Sequence, residues 1–331
     1  MTTNPNTLRK IEELPDMGLV MSDGTRLSAR VWRPVDAGKN PVPVILEYLP
    51  YRKRDGTCAR DALTHPWFAR RGYACVRVDI RGNGDSEGLM ADEYSQQELD
   101  DAVEVINWLA AQGWCTGKVG MMGISWGGFN ALQVAAMQPE PLKAVITLCS
   151  TVDRFADDIH YKGGCLLNEN LGWGATMWAY SSRAPDPALR DDWREMWLKR
   201  LAAEPFLPAL WLRHQKRDEY WRHGSVCEDF STIKAAVLAI GGWGDAYRNA
   251  VPQLVEGLDA PVKGIVGPWV HKYPHIAVPE PRIGFLQEAL RWWDRWLKGL
   301  DTGVENDPDY RAYVMDGLRP ATWASTRPGR W

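Results

Sequence analysis

Residues 119–130 read VGMMGISWGGFN, and the change from apolar to polar within this stretch decides the fold. An apolar run stops at Gly123, and a serine at position 125 has a glycine two residues before it and another two residues after it. The segment matches the pattern G-x-S-x-G, in which the serine occupies a sharp turn between a strand and a helix. A glycine-rich helix start with an N-capping serine is the alternative. The apolar run before Ser125 and the helical pattern after it favour a serine presented for chemistry.

Strands and helices alternate along the first 150 residues. A hairpin is predicted over residues 18–33, around Asp23-Gly24. Apolar runs predict buried strands over residues 43–49, 73–80, 118–122 and 142–148. Helical patterns lie between them, over residues 60–71, 95–111 and 125–137. This alternation is typical of an α/β protein with a mostly parallel sheet covered by helices on both faces, which binds ligands at the carboxyl ends of its strands.

The alternation stops after Ser150, and the rest of the chain divides into three parts. Residues 151–233 are rich in Trp, Arg, Asp and Leu, and they predict a helical cap inserted between residues 1–150 and 234–315, the two parts of the core. Strands are predicted to resume over residues 235–240, 262–266 and 310–315. Helices are predicted over residues 189–203, 247–258 and 285–300. In the tail, residues 316–331, we expect neither a helix nor a strand.

Composition argues against several classes of partner. The 39 basic and 42 acidic residues are dispersed, which does not favour nucleic acid or an anionic membrane surface. The chain has no run of 18 apolar residues, and its start lacks the apolar segment of a signal peptide. The six cysteines are widely spaced, without C-x-x-C or zinc-site spacing. We therefore expect a cytoplasmic protein with reduced thiols, no cofactor, no metal, and no membrane or nucleic-acid partner.

A nucleophilic serine needs a general base, and the base needs an orienting carboxylate. In this architecture the three residues follow the chain order Ser, Asp or Glu, His. The strand predicted over residues 235–240 runs into Asp245, and the strand over 262–266 runs into His271. Each late strand thus delivers one candidate to its carboxyl end, in the expected order. His275 is the alternative base, four residues further along the chain.

The oxyanion formed during acyl transfer needs two preorganised donors. The backbone N–H of Trp126, the residue after the serine, is one candidate by its position. The second donor usually comes from the loop after the early strand, where this chain has no His-Gly-Gly run but has Tyr51. A tyrosine hydroxyl can donate a hydrogen bond. The alternative for Tyr51 is a packing role.

Tryptophan occurs 18 times, and we expect most of these rings to fill the core. A few are candidates for an apolar pocket that binds the acyl or aryl part of a substrate. These candidates are Trp126, Trp173, Trp178, Trp243 and Trp269.

Six segments together resemble the CocE/NonD hydrolases, a group that includes bacterial cocaine esterase, α-amino acid ester hydrolases and X-Pro dipeptidyl-peptidases. They are PYRKRD at 50–55, DIRGNGDSEG at 79–88, GISWGGF at 123–129, DRFADDIHYKGG at 153–164, GGWGD at 241–245 and GPWVH at 267–271. The resemblance spans roughly residues 15–315 and implies an α/β-hydrolase core with a helical cap inserted after the strand at 142–148.

The resemblance also implies roles for individual residues. Ser125 would be the nucleophile, Asp245 the orienting carboxylate and His271 the base, with Tyr51 as the side-chain oxyanion donor beside the Trp126 N–H. Family members usually carry a C-terminal jelly-roll domain, and residues 316–331 lie about where that domain would begin.

The α-amino acid ester hydrolases gather carboxylates to hold the substrate ammonium group, and Asp157 and Asp158 match part of that cluster. The acidic residues that follow the catalytic aspartate in those enzymes are replaced here by Tyr247 and Arg248. Arg248 would repel an ammonium group. The alternative for Asp157 and Asp158 is a structural pair that anchors the cap.

These observations favour a serine hydrolase that cleaves carboxylic esters or amides of small molecules or short peptides through an acyl-enzyme. An X-Pro dipeptidyl-peptidase or amino-acyl ester hydrolase is the alternative, with Asp157 or Asp158 binding the free amine. A third hypothesis is an inactive hydrolase-fold fragment that needs a partner domain. The sequence leaves open whether the chain forms a homo-oligomer.

Overall fold

The computed structural model describes residues 8–331, which form two compact units. The first unit comprises residues 8–121, 139–142 and 168–215. The second unit comprises residues 122–138, 143–167 and 216–331.

The strands largely follow the prediction. They are β1 Ile11–Val20, β2 Arg26–Pro34, β3 Val42–Leu49, β4 Ala74–Asp79, β5 Cys115–Ile124, β6 Leu142–Leu148, β7 Tyr161–Lys162, β8 Cys165–Leu166, β9 Ala236–Gly242, β10 Val262–Gly267, β11 Tyr310–Ala312, β12 Val314–Met315 and β13 Gly329–Arg330. Within residues 8–331, nine strands form one sheet in the order β1-β2-β4-β3-β5-β6-β9-β10-β11. β1 and β2 form the predicted antiparallel hairpin, while β3 pairs in parallel with β4 and β5.

The helices are α1 Cys58–Ala69, α2 Gln96–Ala110, α3 Trp126–Ala136, α4 Glu169–Ser181, α5 Trp193–Ala203, α6 Leu207–Trp211, α7 Glu219–Arg222, α8 Ala250–Gly257 and α9 Phe285–Lys298. β3, β4 and β9 are buried along their whole length. Strands covered on both faces are expected to be continuously apolar. The alternation of strands and helices therefore confirms the predicted α/β class with a mostly parallel sheet.

Two pairings in the second unit bring strand ends together. β9 pairs in parallel with β6, with Leu148 opposite Ile240. β9 also pairs in parallel with β10, with Gly242 opposite Gly267. The loops that follow β6, β9 and β10 consequently leave the sheet at the same edge.

The segment predicted to be a cap, residues 151–233, holds the short β7–β8 hairpin and the helices α4 to α7. The predicted helix over 189–203 begins only at Trp193. Residues 168–215 cluster with the first unit, and the flanking parts of the segment cluster with the second. The cap boundaries stay a prediction.

The expectation that residues 316–331 hold no strand was wrong. Gly329–Arg330 forms β13, which pairs antiparallel with β12. The Trp331 ring lies 5.4 Å from that of Tyr313 and 6.0 Å from that of Trp269, centroid to centroid. Aromatic contacts and main-chain pairing with residues distant in sequence hold the tail in place. The polar composition of residues 316–331 does not reveal these contacts. Among residues 8–331, no helix has the length and apolar character needed to cross a membrane.

Candidate active site

Ser125 lies at the turn between β5 and α3, as the sequence predicts. Its backbone has φ 58° and ψ −127°, a conformation that residues with a side chain rarely adopt. Its amide donates to the Leu148 carbonyl at 2.9 Å, and its carbonyl accepts from the Gly128 amide at 2.7 Å. A Cβ at Gly123 would lie 2.6 Å from Gly127 Cα, so the turn needs glycine there. Within the described chain, the Ser125 hydroxyl makes no capping hydrogen bond, which disfavours the N-cap interpretation.

Asp245 follows β9, His271 follows β10, and the structure brings the two side chains together. Nδ1 of His271 lies 3.2 and 3.1 Å from the two carboxylate oxygens of Asp245. The two loops pass so close to each other that a Cβ at Gly242 would lie only 2.1 Å from the Trp269 carbonyl oxygen. The Asp245 side chain is 1% exposed, whereas that of His271 is 42% exposed. The pair therefore combines a buried carboxylate with an imidazole open to solvent.

Three groups donate to the Asp245 carboxylate. Besides His271, these are the backbone amide of Tyr247, 3.2 Å from Oδ1, and the thiol of Cys149. Burial acts to raise the pKa of Asp245, but these hydrogen bonds and the charge of His271 outweigh it and lower the pKa. Asp245 consequently stays ionised at neutral pH and holds the Nδ1–H tautomer of the imidazole.

Cys149, which follows β6 directly, was not among the predicted site residues. Its amide donates to the Ile240 carbonyl at 2.9 Å, and its φ is 48°. Burial, with the neighbouring Asp245 carboxylate, raises the pKa of this thiol well above its ordinary value. The available signal was its place at the carboxyl end of a strand, but its relation to Asp245 depends on β6 lying beside β9.

Aromatic rings connect the start of α3 to His271. The Phe129 ring meets the Tyr247 ring edge-on at 5.3 Å, and the Tyr247 ring lies 6.0 Å from the His271 ring. Next to Tyr247, the Arg248 guanidinium donates to the Asp245 carbonyl at 3.1 Å. A cation thus stands beside the predicted triad, where the α-amino acid ester hydrolase pattern has acidic residues.

His275, the alternative base, has a different environment. Its ring stacks on Phe285 at 5.6 Å with an interplanar angle of 14°. Burial and the charge of Arg282 lower its pKa. Asp245 pairs with His271 instead, so the geometry favours His271 as the base.

Asp157 and Asp158 are both buried in the second unit. The ammonium group of Lys162 lies 2.5 Å from Asp157 and also donates to the Ala246 carbonyl at 2.8 Å. Asp158 accepts a hydrogen bond from the Ile159 amide at 2.7 Å. An internal lysine therefore already neutralises the Asp157 carboxylate, which favours the structural alternative for that residue, and the role of Asp158 stays a prediction.

Three of the candidate pocket tryptophans belong to the second unit. Trp126 and Trp269 are 0% and 1% exposed. The Trp269 indole donates to the Pro281 carbonyl at 2.8 Å, and the Trp243 indole donates to the Tyr313 carbonyl at 2.7 Å. Trp243 and Trp269 therefore hold the segments that follow β10 and β11, and contact of the three rings with a substrate stays a prediction.

The remaining candidates belong to the first unit. The Tyr51 ring lies 5.2 Å from the Tyr180 ring. Trp173 donates to Glu93 at 3.2 Å. Trp178 is 43% exposed, which leaves its ring accessible to an apolar ligand. The roles predicted for Tyr51, Trp173 and Trp178 stay predictions.

Two groups of side chains in the described chain have the composition of a metal site. In the first unit, Glu47, Asp61 and His65 come together, but Arg60 donates to Glu47 at 2.7 Å and Arg77 lies 3.6 Å from Asp61. Burial acts to raise the pKa of Glu47, but Arg60, His65 and Arg77 outweigh it and lower the pKa to about 2. Guanidinium groups thus supply the positive charge of this group. The other group is Cys149, Asp245 and His271.

Comparison with known proteins gives this geometry a family context. The sequence profile described as X-Pro dipeptidyl-peptidase (S15 family) matches residues 23–273. Cocaine esterase of Rhodococcus sp. (strain MB1 Bresler) is 30% identical over 330 residues, covering 89% of this chain and 57% of the relative. A putative Xaa-Pro dipeptidyl-peptidase of Streptomyces avermitilis is 25% identical over 333 residues, covering 86% and 45%. The chain therefore spans about half the length of the curated relatives it matches.

A solved structure shows the same fold. The crystal structure of a CocE/NonD family hydrolase from Staphylococcus aureus superposes with a TM-score of 0.73 at 21% identity, covering 92% of this chain and 54% of that one. With the mostly parallel sheet and its flanking helices, this likeness confirms the predicted α/β-hydrolase fold.

Proposed function

Because the chain belongs to the X-Pro dipeptidyl-peptidase (S15) family, we propose that it is a serine hydrolase acting without a cofactor. It cleaves carboxylic esters or amides of small molecules or short peptides through an acyl-enzyme. One observation carries the proposal most directly. The Asp245–His271 pair follows β9 and β10, and Ser125 stands on its strained turn after β5, in the same unit.

The chemistry follows from the proposed roles. The neutral His271 ring accepts the Ser125 hydroxyl proton on Nε2 while Oγ attacks the acyl carbon. The buried Asp245 carboxylate keeps the other imidazole proton on Nδ1 and stabilises the imidazolium that forms. The imidazolium then gives its proton to the leaving alcohol or amine, which departs and leaves the acyl group on Ser125. Water, deprotonated by the same imidazole, attacks the acyl carbon, the bond to Ser125 Oγ breaks, and the imidazolium returns its proton to Oγ as the carboxylic acid is released.

Two donors are proposed for the oxyanion. The Trp126 amide directly follows the nucleophile and opens α3, so it has the position that this motif uses. Tyr51 is proposed as the second donor because its loop follows β3, the early strand whose loop supplies that donor in such folds. Such a donor typically contributes about 10²–10³-fold to kcat.

Hydrolysis of p-nitrophenyl acetate by the purified chain tests the proposal. We expect turnover by the wild type and by Ser231→Ala, which removes an exposed serine hydroxyl of the second unit. We expect Ser125→Ala to fall to the background rate. Equal turnover by Ser125→Ala and the wild type would sink the proposal.

Release of X-Pro dipeptides is the second candidate, favoured by the family match and by the buried carboxylates Asp157 and Asp158. The Lys162 contact weighs against it, because a substrate amine would have to displace that ammonium group. Comparing Ala-Pro-p-nitroanilide with its N-acetyl form separates the two candidates. A strong preference for the free amine supports the dipeptidyl-peptidase, and equal rates leave the esterase.

The third candidate is an inactive hydrolase-fold module that needs a partner domain. A folded sample whose Ser125 does not react with a fluorophosphonate would support it.

We further propose a cytoplasmic enzyme, because its six described cysteines are free thiols, and cell fractionation tests this. Light scattering tests whether it forms the homo-oligomer that the sequence leaves open.

A further inference from the structure

Cys149, Asp245 and His271 each offer one ligand atom, and these atoms all lie within 4.8 Å of one another. We propose that they form an inhibitory site for a thiophilic divalent cation, with Zn²⁺ the best match. Thiolate, carboxylate and imidazole are the ligands that Zn²⁺ prefers, at about 2.0–2.3 Å from the metal. Small movements of three side chains whose ligand atoms already lie this close together would bring them to these distances.

The protein holds the three ligands in place before any metal arrives. Cys149 follows β6 and is tied to β9 by its amide, which donates to the Ile240 carbonyl at 2.9 Å. The Asp245 amide donates to the Gly242 carbonyl at 3.0 Å, at the end of the same strand. His271 follows β10, the neighbouring strand. Three adjacent strands therefore fix the arrangement, which lowers the cost of gathering ligands around a cation.

The site is closed on one side and open on the other. Cys149 and Asp245 are 4% and 3% exposed, but the His271 side chain is 42% exposed. A water molecule that enters beside the partly exposed imidazole would complete the tetrahedral set. The sulfur ligand selects Zn²⁺, Cd²⁺ and Co²⁺ over the hard cations Mg²⁺ and Ca²⁺.

Protons and charges balance when the cation binds. Without metal, the Asp245 carboxylate accepts hydrogen bonds from the Cys149 thiol and the His271 Nδ1–H. The cation binds the carboxylate, the sulfur and the Nδ1 lone pair. The thiol proton leaves to solvent, and the imidazole proton moves from Nδ1 to Nε2. Thiolate and carboxylate neutralise the two positive charges, and no electron is transferred.

Inhibition follows from the tautomer that the metal imposes. With its proton on Nε2 and the metal on Nδ1, His271 has no lone pair to accept the Ser125 proton. Inhibition therefore rests on the proposed function, whereas metal binding does not. A thiol that only donates a hydrogen bond to Asp245 is the competing interpretation, and it predicts no metal complex.

Cobalt spectroscopy on Ser125→Ala tests binding independently of catalysis. We expect one equivalent of Co²⁺ to give a thiolate-to-cobalt charge-transfer band and tetrahedral d–d bands. Adding Cys149→Ala or His271→Ala to this variant removes both features. Adding Cys165→Ser, which removes an exposed thiol, leaves them unchanged. Absence of the band, or a band that depends on Cys165 rather than Cys149, would overturn the site.

Ester hydrolysis tests the consequence in the active enzyme. We expect Zn²⁺ to inhibit the wild type and EDTA to restore its rate. For Cys149→Ser, inhibition is measured relative to the metal-free rate of the same variant. The Zn²⁺ concentration that gives half-inhibition should rise by at least about tenfold, because losing even a residue that only supports a metal ligand lowers affinity by that much. Inhibition that survives Cys149→Ser unchanged would contradict the proposal. If no ester is turned over but the cobalt band forms, the proposed function fails while the metal site stands.

Discussion

Replacing Asp245 by asparagine changes one atom of the proposed triad and tests the tautomer argument. In the wild type, Nδ1 of His271 lies 3.2 and 3.1 Å from the carboxylate oxygens and donates to them. An asparagine that keeps its oxygen on the Tyr247 amide turns its NH₂ group towards Nδ1. The imidazole must then accept at Nδ1 and carry its proton on Nε2, where it cannot take the Ser125 proton.

The size of the expected loss of activity follows from the environment of the Asp245–His271 pair. This exchange in a Ser-His-Asp protease lowers kcat by about 10⁴-fold. The His271 side chain is 42% exposed, so water can partly compensate, and we set the lower bound at about 10³-fold. At about 1.4 kcal/mol per tenfold, the loss of transition-state stabilisation is about 4–5 kcal/mol. Stability falls by only about 1 kcal/mol, because one donor to the carboxylate loses its acceptor.

The assay compares kcat/KM for p-nitrophenyl acetate with thermal unfolding of the same samples. Asp259→Asn is the matched control, because that carboxylate is exposed on the loop before β10. We expect wild-type kinetics from the control and a loss of at least about 10³-fold from Asp245→Asn. A folded Asp245→Asn enzyme that retains more than about a tenth of wild-type activity would refute the tautomer argument.

Three further perturbations have defined outcomes. Tyr51→Phe removes the proposed hydroxyl donor and lowers kcat by about 10²–10³-fold with little change in KM, measured by steady-state kinetics. Gly123→Ala places a methyl group 2.6 Å from Gly127 Cα, so calorimetry should show a loss of about 1–3 kcal/mol in unfolding free energy, whereas Gly113→Ala, with nothing within 4 Å, changes little. The pKa of Glu47 falls on folding from 4.5 to about 2, so its contribution to stability is complete above pH 4.5 and disappears as the pH falls towards 2. The unfolding free energies of Glu47→Gln and wild type, measured by urea titration, should therefore converge by on the order of 3 kcal/mol as the pH falls across that range.

Each of these expectations has a result that contradicts it. Tyr180→Phe alters the ring neighbour of Tyr51, and an equal loss from both variants would make Tyr51 a packing residue. If Gly123→Ala melts like wild type and keeps its activity, the turn does not need glycine. If the difference in unfolding free energy between Glu47→Gln and wild type does not depend on pH, the buried network does not stabilise the ionised Glu47 carboxylate.

The predicted site residues could be found from sequence because their signals are local. The signal for Ser125 is a glycine two residues before it and another two residues after it. The turn requires these glycines because Gly123 and Gly127 approach each other closely. Asp245 and His271 each follow a short apolar run that indicates a buried strand. The carboxyl ends of parallel strands share one edge of a sheet, so their meeting followed from strand prediction alone.

Other features depend on contacts between distant segments, and sequence patterns do not encode these. Cys149 meets Asp245 because β6 lies beside β9, although the whole predicted cap segment lies between the two residues in sequence. The ion pair between Lys162 and Asp157 weighs against Asp157 as an ammonium ligand, and the sequence pattern does not reveal it. Trp331 packs on Trp269 through a tail whose composition predicts no structure.

The central claim is that Ser125 is a nucleophile activated by the Asp245–His271 pair, and covalent labelling tests it most directly. Incubation with a fluorophosphonate, followed by intact-mass and peptide mass spectrometry, should give one adduct per chain, located on Ser125. The adduct should be absent from Ser125→Ala and form far more slowly in His271→Ala. A folded wild-type chain that forms no adduct, or forms it on another residue, would contradict the account.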